Sequence, residues 1–455
     1  MTDILAQVHK VHFVGIGGSG MSPLAEILQQ LGFSITGSDV NESDNVARMR
    51  AIGIDVKLPQ KAENVGDAEL VVYTAAVADD NPELVEARRR NIPLLERAKL
   101  LGLITRRYPN TVAVAGTHGK TTTTSMIAQI LLQADLDPSV FIGGRLPLIG
   151  ANGRAGGSDT MVCEACEFKD HYLEMRPAIS IILNVDADHL DYFGDLNGVI
   201  RSFENFARLT SGTLILNAAD ANTAVLLNRC AGQNIVTYGT EPTCDWSARN
   251  VAMNGAYGTY DLYRGDEYIA HVALGAPGEH NVLNSVAAAI AAHLCGATVD
   301  QIVDGLAAFS GAGRRFEFLG EAGGVTFADD YAHHPTEIAA TLGAAKQLQY
   351  NRVIAVFQPF TFSRTARHLD EFAAALSAAD IAIVSDIMGS REQNTYGVSS
   401  DQITDQIENG RYIPTFEEIT AFVATESKAG DLVLTMGGGD VYKCARMMKA
   451  AIEKR

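Results

Sequence analysis

Short runs of β-branched and apolar residues alternate along the chain with longer stretches rich in Ala and Leu. That alternation is the pattern of parallel strands joined by crossover helices, and it predicts an α/β protein. The first unit opens with a strand at Val8–Val14, a glycine turn at Gly15–Gly20 and a helix from Ser22 to Leu31. A strand at Ser34–Ser38, ending at Asp39, and an apolar run at Leu70–Tyr73 follow. The segment Leu94–Tyr108 reads as a helix closed by Pro109, where we expect a boundary.

The second unit repeats the opening with a strand at Thr111–Ala115, a glycine-containing turn and a helix at Thr122–Ala134. Further strands are predicted at Thr160–Glu164, Ile179–Asn184, Thr213–Asn217 and Ile235–Tyr238. Asp245–Leu274 reads as an antiparallel meander that turns at Asn254-Gly255 and Arg264-Gly265. Helices at Asn281–Cys295 and Val299–Phe309 lead to a second linker, Ser310–Arg315. The last unit has strands at Val325–Ala328, Arg352–Phe357, Ile381–Ser385 and Leu432–Thr435, with helices at Pro335–Leu348 and Leu369–Ala379 and a final helix after Met436–Asp440. The expected division is three domains: residues 1–109, 110–313 and 314–455.

Composition narrows the function. At about 150 residues per domain, 455 residues also suggest three. Lys plus Arg number 36 against 54 Asp plus Glu, a net charge of −18, so a basic face for nucleic acid is not expected. No run approaches the roughly 20 apolar residues of a membrane helix, and no secretory leader is visible. Six cysteines in a chain this long do not make a disulfide framework, and a cytoplasmic protein with reduced thiols is expected. Cys163 and Cys166 form one C-x-x-C without a second pair, and we read both as buried and inert.

Two glycine motifs carry the chemistry. Gly15-Ile16-Gly17-Gly18-Ser19-Gly20 fits G-x-G-x-x-G between a strand and a helix, where glycines let the backbone approach a diphosphate. Asp39, at the end of the next strand, is placed to bond a ribose hydroxyl. Gly116-Thr117-His118-Gly119-Lys120-Thr121-Thr122 follows a buried strand. Here backbone N–H groups would ring phosphates, Lys120 would reach the β and γ oxygens, and the Thr121 hydroxyl would sit on Mg²⁺. Val114 stands where the full phosphate-loop pattern has its first glycine. Glu164 closes one strand, and Asp186, Asp188, His189 and Asp191 crowd the end of another. Carboxylates beside bound triphosphate imply bridging cations.

GIGGSGM, GSD (Gly37–Asp39), AGTHGKTTT, EAC with NVDADHLDYF, GEHNVLN (Gly278–Asn284), GAGRRFE (Gly311–Glu317) and DDYAHHPTE (Asp329–Glu337) occur in this order. Together they resemble the Mur ligase family over essentially the whole chain, and most closely its alanine-adding branch. The resemblance implies a Rossmann-like N-terminal domain for a UDP-sugar, a central ATPase domain and a Rossmann-like C-terminal domain. It implies that L-alanine is joined to UDP-N-acetylmuramate with ATP and Mg²⁺ (Mn²⁺ as a substitute), in bacterial peptidoglycan precursor synthesis. By the same resemblance, Gly15, Gly17, Gly18, Ser19, Gly20, Met21, Ser38 and Asp39 would hold the UDP-sugar. Lys120 and Thr121 would hold the γ-phosphate and the metal, with Glu164 and His189 as further metal ligands. Asn281 would contact adenine, Arg314 a phosphate of ATP, and Asp330 the nucleotide. His333, the candidate base, and Arg364 would lie near the amino acid.

Three departures accompany it. Leu190 to Thr210 contains no lysine, which fits the alanine-adding branch; related ligases carry a modified lysine there. EACEFKD replaces the more usual EADESD, leaving the roles of Cys166 and Glu167 open. Phe360 replaces the histidine of FQPH and cannot donate a hydrogen bond. His333 and His334 also suit simple helix capping before Pro335. Closure about the linkers near 109 and 313 is expected, because an acyl phosphate must be kept from water. Alternatives remain: a ligase that recycles a preformed tripeptide, an NAD-dependent oxidoreductase, and a non-catalytic nucleotide-gated binding protein.

Overall fold

The computed structural model describes residues 4–74, 77–390 and 392–454, without the side chain of Asp191. Three sheets organise them. The first contains β1 (Lys10–Val14), β2 (Ser34–Ser38), β3 (Asp55–Lys57), β4 (Leu70–Tyr73) and β5 (Leu94–Glu96), in the order β3-β2-β1-β4-β5. All pairings are parallel. Val11, Phe13 and Val14 of β1 are buried on both faces, as expected for a parallel sheet covered by helices. The predicted helix Leu94–Tyr108 is corrected here. Leu94–Glu96 pairs with β4 as an edge strand, and the helix runs Arg97–Thr105. A short apolar run does not distinguish strand from helix by periodicity alone.

The second sheet contains β6 (Asn110–Ala115), β7 (Ser139–Leu146), β8 (Ala151–Arg154), β9 (Thr160–Glu164), β10 (Ile179–Ile182), β11 (Thr213–Asn217), β12 (Asn234–Gly239), β13 (Trp246–Asn254), β14 (Tyr257–Arg264) and β15 (Glu267–Pro277). Its order is β15-β14-β13-β12-β11-β10-β6-β9-β7-β8. The predicted meander turns occur at Gly255 and Gly265, both with φ of 58°. The strand pair β7 and β8 was not predicted; Gly143, Gly144 and Gly153 dilute its apolar signal.

The third sheet contains β16 (Glu317–Ala322), β17 (Val325–Asp330), β18 (Arg352–Phe357), β19 (Ile381–Val384), β20 (Gly410–Tyr412) and β21 (Asp431–Met436), in the order β16-β17-β21-β18-β19-β20. Only β16 is antiparallel to its neighbour.

The backbone clusters into two compact units. One comprises Met1–Arg249, Asp261–Val272 and Leu283–Leu306; the other comprises Asn250–Tyr260, Ala273–Val282 and Ala307–Arg455. Among the described residues no helix is long and apolar enough to cross a membrane.

Candidate active site

In the first sheet the chain steps from β1 to β2 on one side and to β4 on the other. Ligands bind outside the strand ends at such a switch point. A cavity of about 730 Å³ lies there, lined by Gly15, Gly17, Gly18, Asp39, Gln60 and Asn81 among others. The glycine turn is more closed than its sequence suggests. Asp39 Oδ2 accepts the Gly17 N–H at 2.8 Å, and its Oδ1 accepts the Val40 N–H at 2.7 Å. The Gly18 N–H bonds the Gly15 carbonyl at 3.1 Å. The carboxylate of Asp39, the residue expected to reach a ribose hydroxyl, also braces the turn itself. Gly17 is required sterically, because an added Cβ would meet Val46 Cγ2 at 2.7 Å and Asp39 Oδ2 at 2.9 Å.

The second sheet has its own switch point at β6, between β9 and β10. The loop 116–119 leaves β6 there and enters the helix Lys120–Gln133. Gly116 and Gly119 have φ of +146° and +85°, which only glycine adopts without strain. No side chain caps the helix start, whose dipole and N–H groups suit an anion. Asn184, just past β10, braces the loop by accepting the His118 N–H at 2.8 Å and donating to the His118 carbonyl at 3.0 Å.

Lys120 Nζ donates to the carbonyls of Gly116 (2.5 Å) and Thr117 (3.0 Å) and to Glu167 Oε1 (3.0 Å). Burial works against the ammonium, but Glu167, Cys166 and Glu164 outweigh it and raise the Lys120 pKa. Glu167 is buried, and its Oε2 has no hydrogen-bond partner. Glu167 was left without a role by the sequence, because 47 residues separate it from the lysine it pairs with.

Thr121 Oγ1 donates to Glu164 Oε1 at 2.9 Å, and the Gly143 N–H donates to Glu164 Oε2. A hydroxyl and a carboxylate so placed are hard oxygen donors of the kind Mg²⁺ takes. The His189 ring packs edge-on against Phe168 at 4.9 Å, and Nε2 lies 3.7 Å from Asp188. Among the described residues no three His, Cys, Asp or Glu side chains converge at metal-binding spacing. Asp186 faces His118 Nε2 at 3.3 Å, and the side chain of Asp191 lies outside the described residues. Cys163 is buried as expected, but Cys166 is exposed, a correction that follows from its place on the loop leaving β9.

The remaining candidates belong to the other unit. Arg314 has φ of +59° and a fully engaged guanidinium. Nε donates to Asp329 (2.8 Å), Nη1 to the Gly439 carbonyl (3.0 Å) and Nη2 to the Gly437 carbonyl (2.7 Å). Its faces stack on Tyr331 and Tyr442 at 4.9 and 4.8 Å. This geometry clamps the 437–439 turn. Asp330 is buried and accepts the N–H groups of Phe316 (2.7 Å) and Ala332 (2.6 Å). Burial raises its carboxyl to about 6, against the pull of Arg315.

His333 Nδ1–H donates to the Tyr331 carbonyl at 3.0 Å, which leaves the lone pair on Nε2. Burial, aided by Arg364 and Arg315 and opposed by Glu337, pushes its pKa down to about 4. A capping box of His334 and Glu337 closes this helix start, with Glu337 accepting the N–H groups of His333 (3.1 Å) and His334 (3.3 Å). Phe360 meets the His333 ring edge-on at 6.4 Å, and both rings border Gly438. Arg364 lies in the helix Phe362–Arg367, and Asn281, buried, donates to the Pro277 carbonyl at 2.7 Å.

Three family models match the chain: "Mur ligase family, catalytic domain" over residues 10–109, "Mur ligase middle domain" over 114–292, and "Mur ligase, glutamate ligase domain" over 314–439. The chain is 44% identical to the UDP-N-acetylmuramate–L-alanine ligase of Clostridium novyi, over 97% of each sequence. It is 45% identical to the ligase of the same name from Agathobacter rectalis, again over 97% of each. Among solved structures it resembles the UDP-N-acetylmuramate–alanine ligase of Thermotoga maritima, with TM-score 0.82 and 29% identity over 96% of this chain and 98% of that one. A murein peptide ligase from Psychrobacter arcticus gives 0.76 and 25%, over 98% and 99%.

Proposed function

The chain belongs to the Mur ligase family, and from that premise we propose that the two switch-point sites hold the two anionic reactants of an ATP-dependent ligase. The reaction joins L-alanine to the carboxylate of UDP-N-acetylmuramate, giving ADP and phosphate, as in the relatives that share 44–45% of its sequence end to end. The observation that supports this reading best is the pairing, in one compact unit, of a glycine-turn cavity with a separate open-ended phosphate loop. An oxidoreductase uses only the first, and a simple NTPase only the second.

A sugar carboxylate is a poor electrophile. Its oxygen attacks the γ-phosphorus, ADP departs, and the acyl phosphate that results has a good leaving group. The alanine nitrogen then bonds the carbonyl carbon, inorganic phosphate leaves, and the amine loses its proton. The first step brings two anions together, so cationic groups must offset their repulsion. Lys120 and the helix N-terminus beside it supply fixed positive charge at the loop. Thr121 and Glu164, with His189 as the expected third ligand, would hold Mg²⁺, which supplies charge neutralisation at the phosphates when bound.

His333 serves as a late proton acceptor in this reading. The ammonium of free alanine sits above the roughly 7.7–8.0 of a chain terminus, because its own carboxylate favours the charged form. A histidine at about 4 does not deprotonate it in the ground state. An ammonium has no lone pair, so the minority of alanine that is already neutral makes the attack, and His333 takes the remaining proton once bond formation has made the nitrogen acidic. Asn281 beside adenine, Arg364 on the alanine carboxylate and Asp330 on the nucleotide complete the assignment, along with a three-domain division near residues 109 and 313. The reading places the protein in the bacterial cytoplasm, with its nucleotide substrates.

Phosphate release with ATP, Mg²⁺ and UDP-N-acetylmuramate tests the reading, with L-alanine and a preformed tripeptide compared as acceptors. Release with alanine supports it; release with the tripeptide alone would make the chain a recycling ligase.

A further inference from the structure

Glu83 has no solvent exposure and lies one residue past Asn81 and Pro82, which line the glycine-turn cavity. Its carboxylate gathers the cavity's walls. Oε2 accepts the Ser38 hydroxyl at 2.5 Å, and Ser38 precedes the wall residue Asp39. Oε1 accepts the Lys61 N–H at 3.1 Å and Asn64 Nδ2 at 2.8 Å, and Lys61 follows the wall residue Gln60. The third wall is tied in by Asn81, whose Oδ1 accepts the Glu83 N–H at 2.9 Å and whose Nδ2 donates to Gln60 Oε1 at 2.7 Å. Behind them His12, also without exposure, places Nε2 3.3 Å from Glu83 Oε2 and Nδ1 2.9 Å from the Thr36 hydroxyl. Burial opposes the charge, but donors from His12, Ser38 and Asn64 outweigh it and lower the Glu83 pKa. A buried carboxylate held only by side-chain and backbone donors costs free energy to desolvate, and neighbouring apolar packing would make a cheaper joint. Its geometry explains its presence: one group spans three chain segments that no single strand connects.

We propose that Glu83 is the positioning residue of the sugar-nucleotide pocket. It fixes the segments after β2, after β3 and before the helix Pro82–Arg89 in the arrangement that receives the ligand. Glu83 does not touch the ligand, and its effect is exerted through Asp39, Gln60 and Asn81. The inference rests on the reading that this cavity takes UDP-N-acetylmuramate.

The donors facing the two oxygens differ in kind. Lys61 N–H and Asn64 Nδ2 can only donate, whereas the Ser38 hydroxyl and His12 can reverse roles. Glu83→Gln therefore keeps the network if its oxygen faces Lys61 and its nitrogen faces Ser38, while Glu83→Ala abolishes it. Expected for Glu83→Ala is a rise in KM for UDP-N-acetylmuramate of about tenfold or more, with kcat and the KM values for ATP and alanine within about twofold, the pattern of lost uniform binding. Glu83→Gln should restore most of the affinity. Asn64→Ala, which loosens one wall and leaves the carboxylate in place, should raise the same KM by about threefold. Unchanged KM in Glu83→Ala, or an equal rise for all three substrates, overturns the inference. Should Glu83→Ala not fold, an unchanged KM in Asn64→Ala overturns it. Calorimetric titration of the wild-type protein with UDP-N-acetylmuramate separates the two levels. No binding there overturns the pocket assignment and the inference with it; binding that Glu83→Ala matches overturns the inference alone.

Discussion

Replacing Lys120 by methionine removes the cation of a buried pair as well as the phosphate-reaching group. The pair spans 3.0 Å, with the lysine side chain 15% exposed and the glutamate 5%. Methionine fills the lysine's volume but leaves the Glu167 carboxylate buried with no cation, a change that costs about 3–5 kcal/mol. Adding Glu167→Gln removes the stranded charge, so the double variant should recover all but about 1 kcal/mol. The predicted coupling is therefore at least about 2 kcal/mol. Trp246, the sole tryptophan, lies in the same compact unit as Lys120 and reports its urea unfolding by fluorescence. Phosphate release should be lost in both Lys120 variants and should not return in the double. Single-variant penalties that add, with coupling below about 0.5 kcal/mol, would refute the buried pair. Near-full turnover in Lys120→Met would refute the loop's role.

Gly17→Ala should raise KM for UDP-N-acetylmuramate by more than about tenfold and leave KM for ATP alone, because its methyl collides with Asp39 and Val46; steady-state kinetics read both. Arg314→Ala should lower unfolding stability by about 3–5 kcal/mol, since Asp329 is buried and loses its cation, and Arg314→Lys should recover little because one ammonium cannot fork across three acceptors. Differential scanning calorimetry decides; a normal melting temperature with only a higher KM for ATP would support the phosphate-contact assignment. Asp330 binds its proton more tightly folded than unfolded, since its carboxyl is raised from 3.8 to about 6. Its stabilisation is present below about pH 4 and lost as pH rises through about 6. Asp330→Asn should therefore abolish a fall in stability across that window, with the two proteins' stabilities running parallel above it.

The sheets were legible because parallel strands buried on both faces appear as short, mostly apolar runs without polar alternation, as in Thr111–Ala115 and Arg352–Phe357. Two strands were not: Leu94–Glu96 at a sheet edge merged with the helix behind it, and Ser139–Leu146 is diluted by glycines. The phosphate loop could be read because its function depends on local backbone and therefore on contiguous residues. Glu167 and Glu83 could not, since each acts through partners brought by other segments, Lys120 in one case and Ser38, Lys61 and Asn64 in the other. The clamp formed by Arg314 was hidden for a related reason. Its charge is visible in the sequence, but the acceptors that engage it lie 15 and more than 120 residues downstream.

Coupling between two separately bound anions and an amine is read by measuring ADP formation while UDP-N-acetylmuramate and L-alanine are supplied singly and together, with ATP and Mg²⁺ in excess. Sustained ADP formation should require both and should be stoichiometric with the amide product. Equal ADP formation with either omitted, or none with both present, contradicts the account.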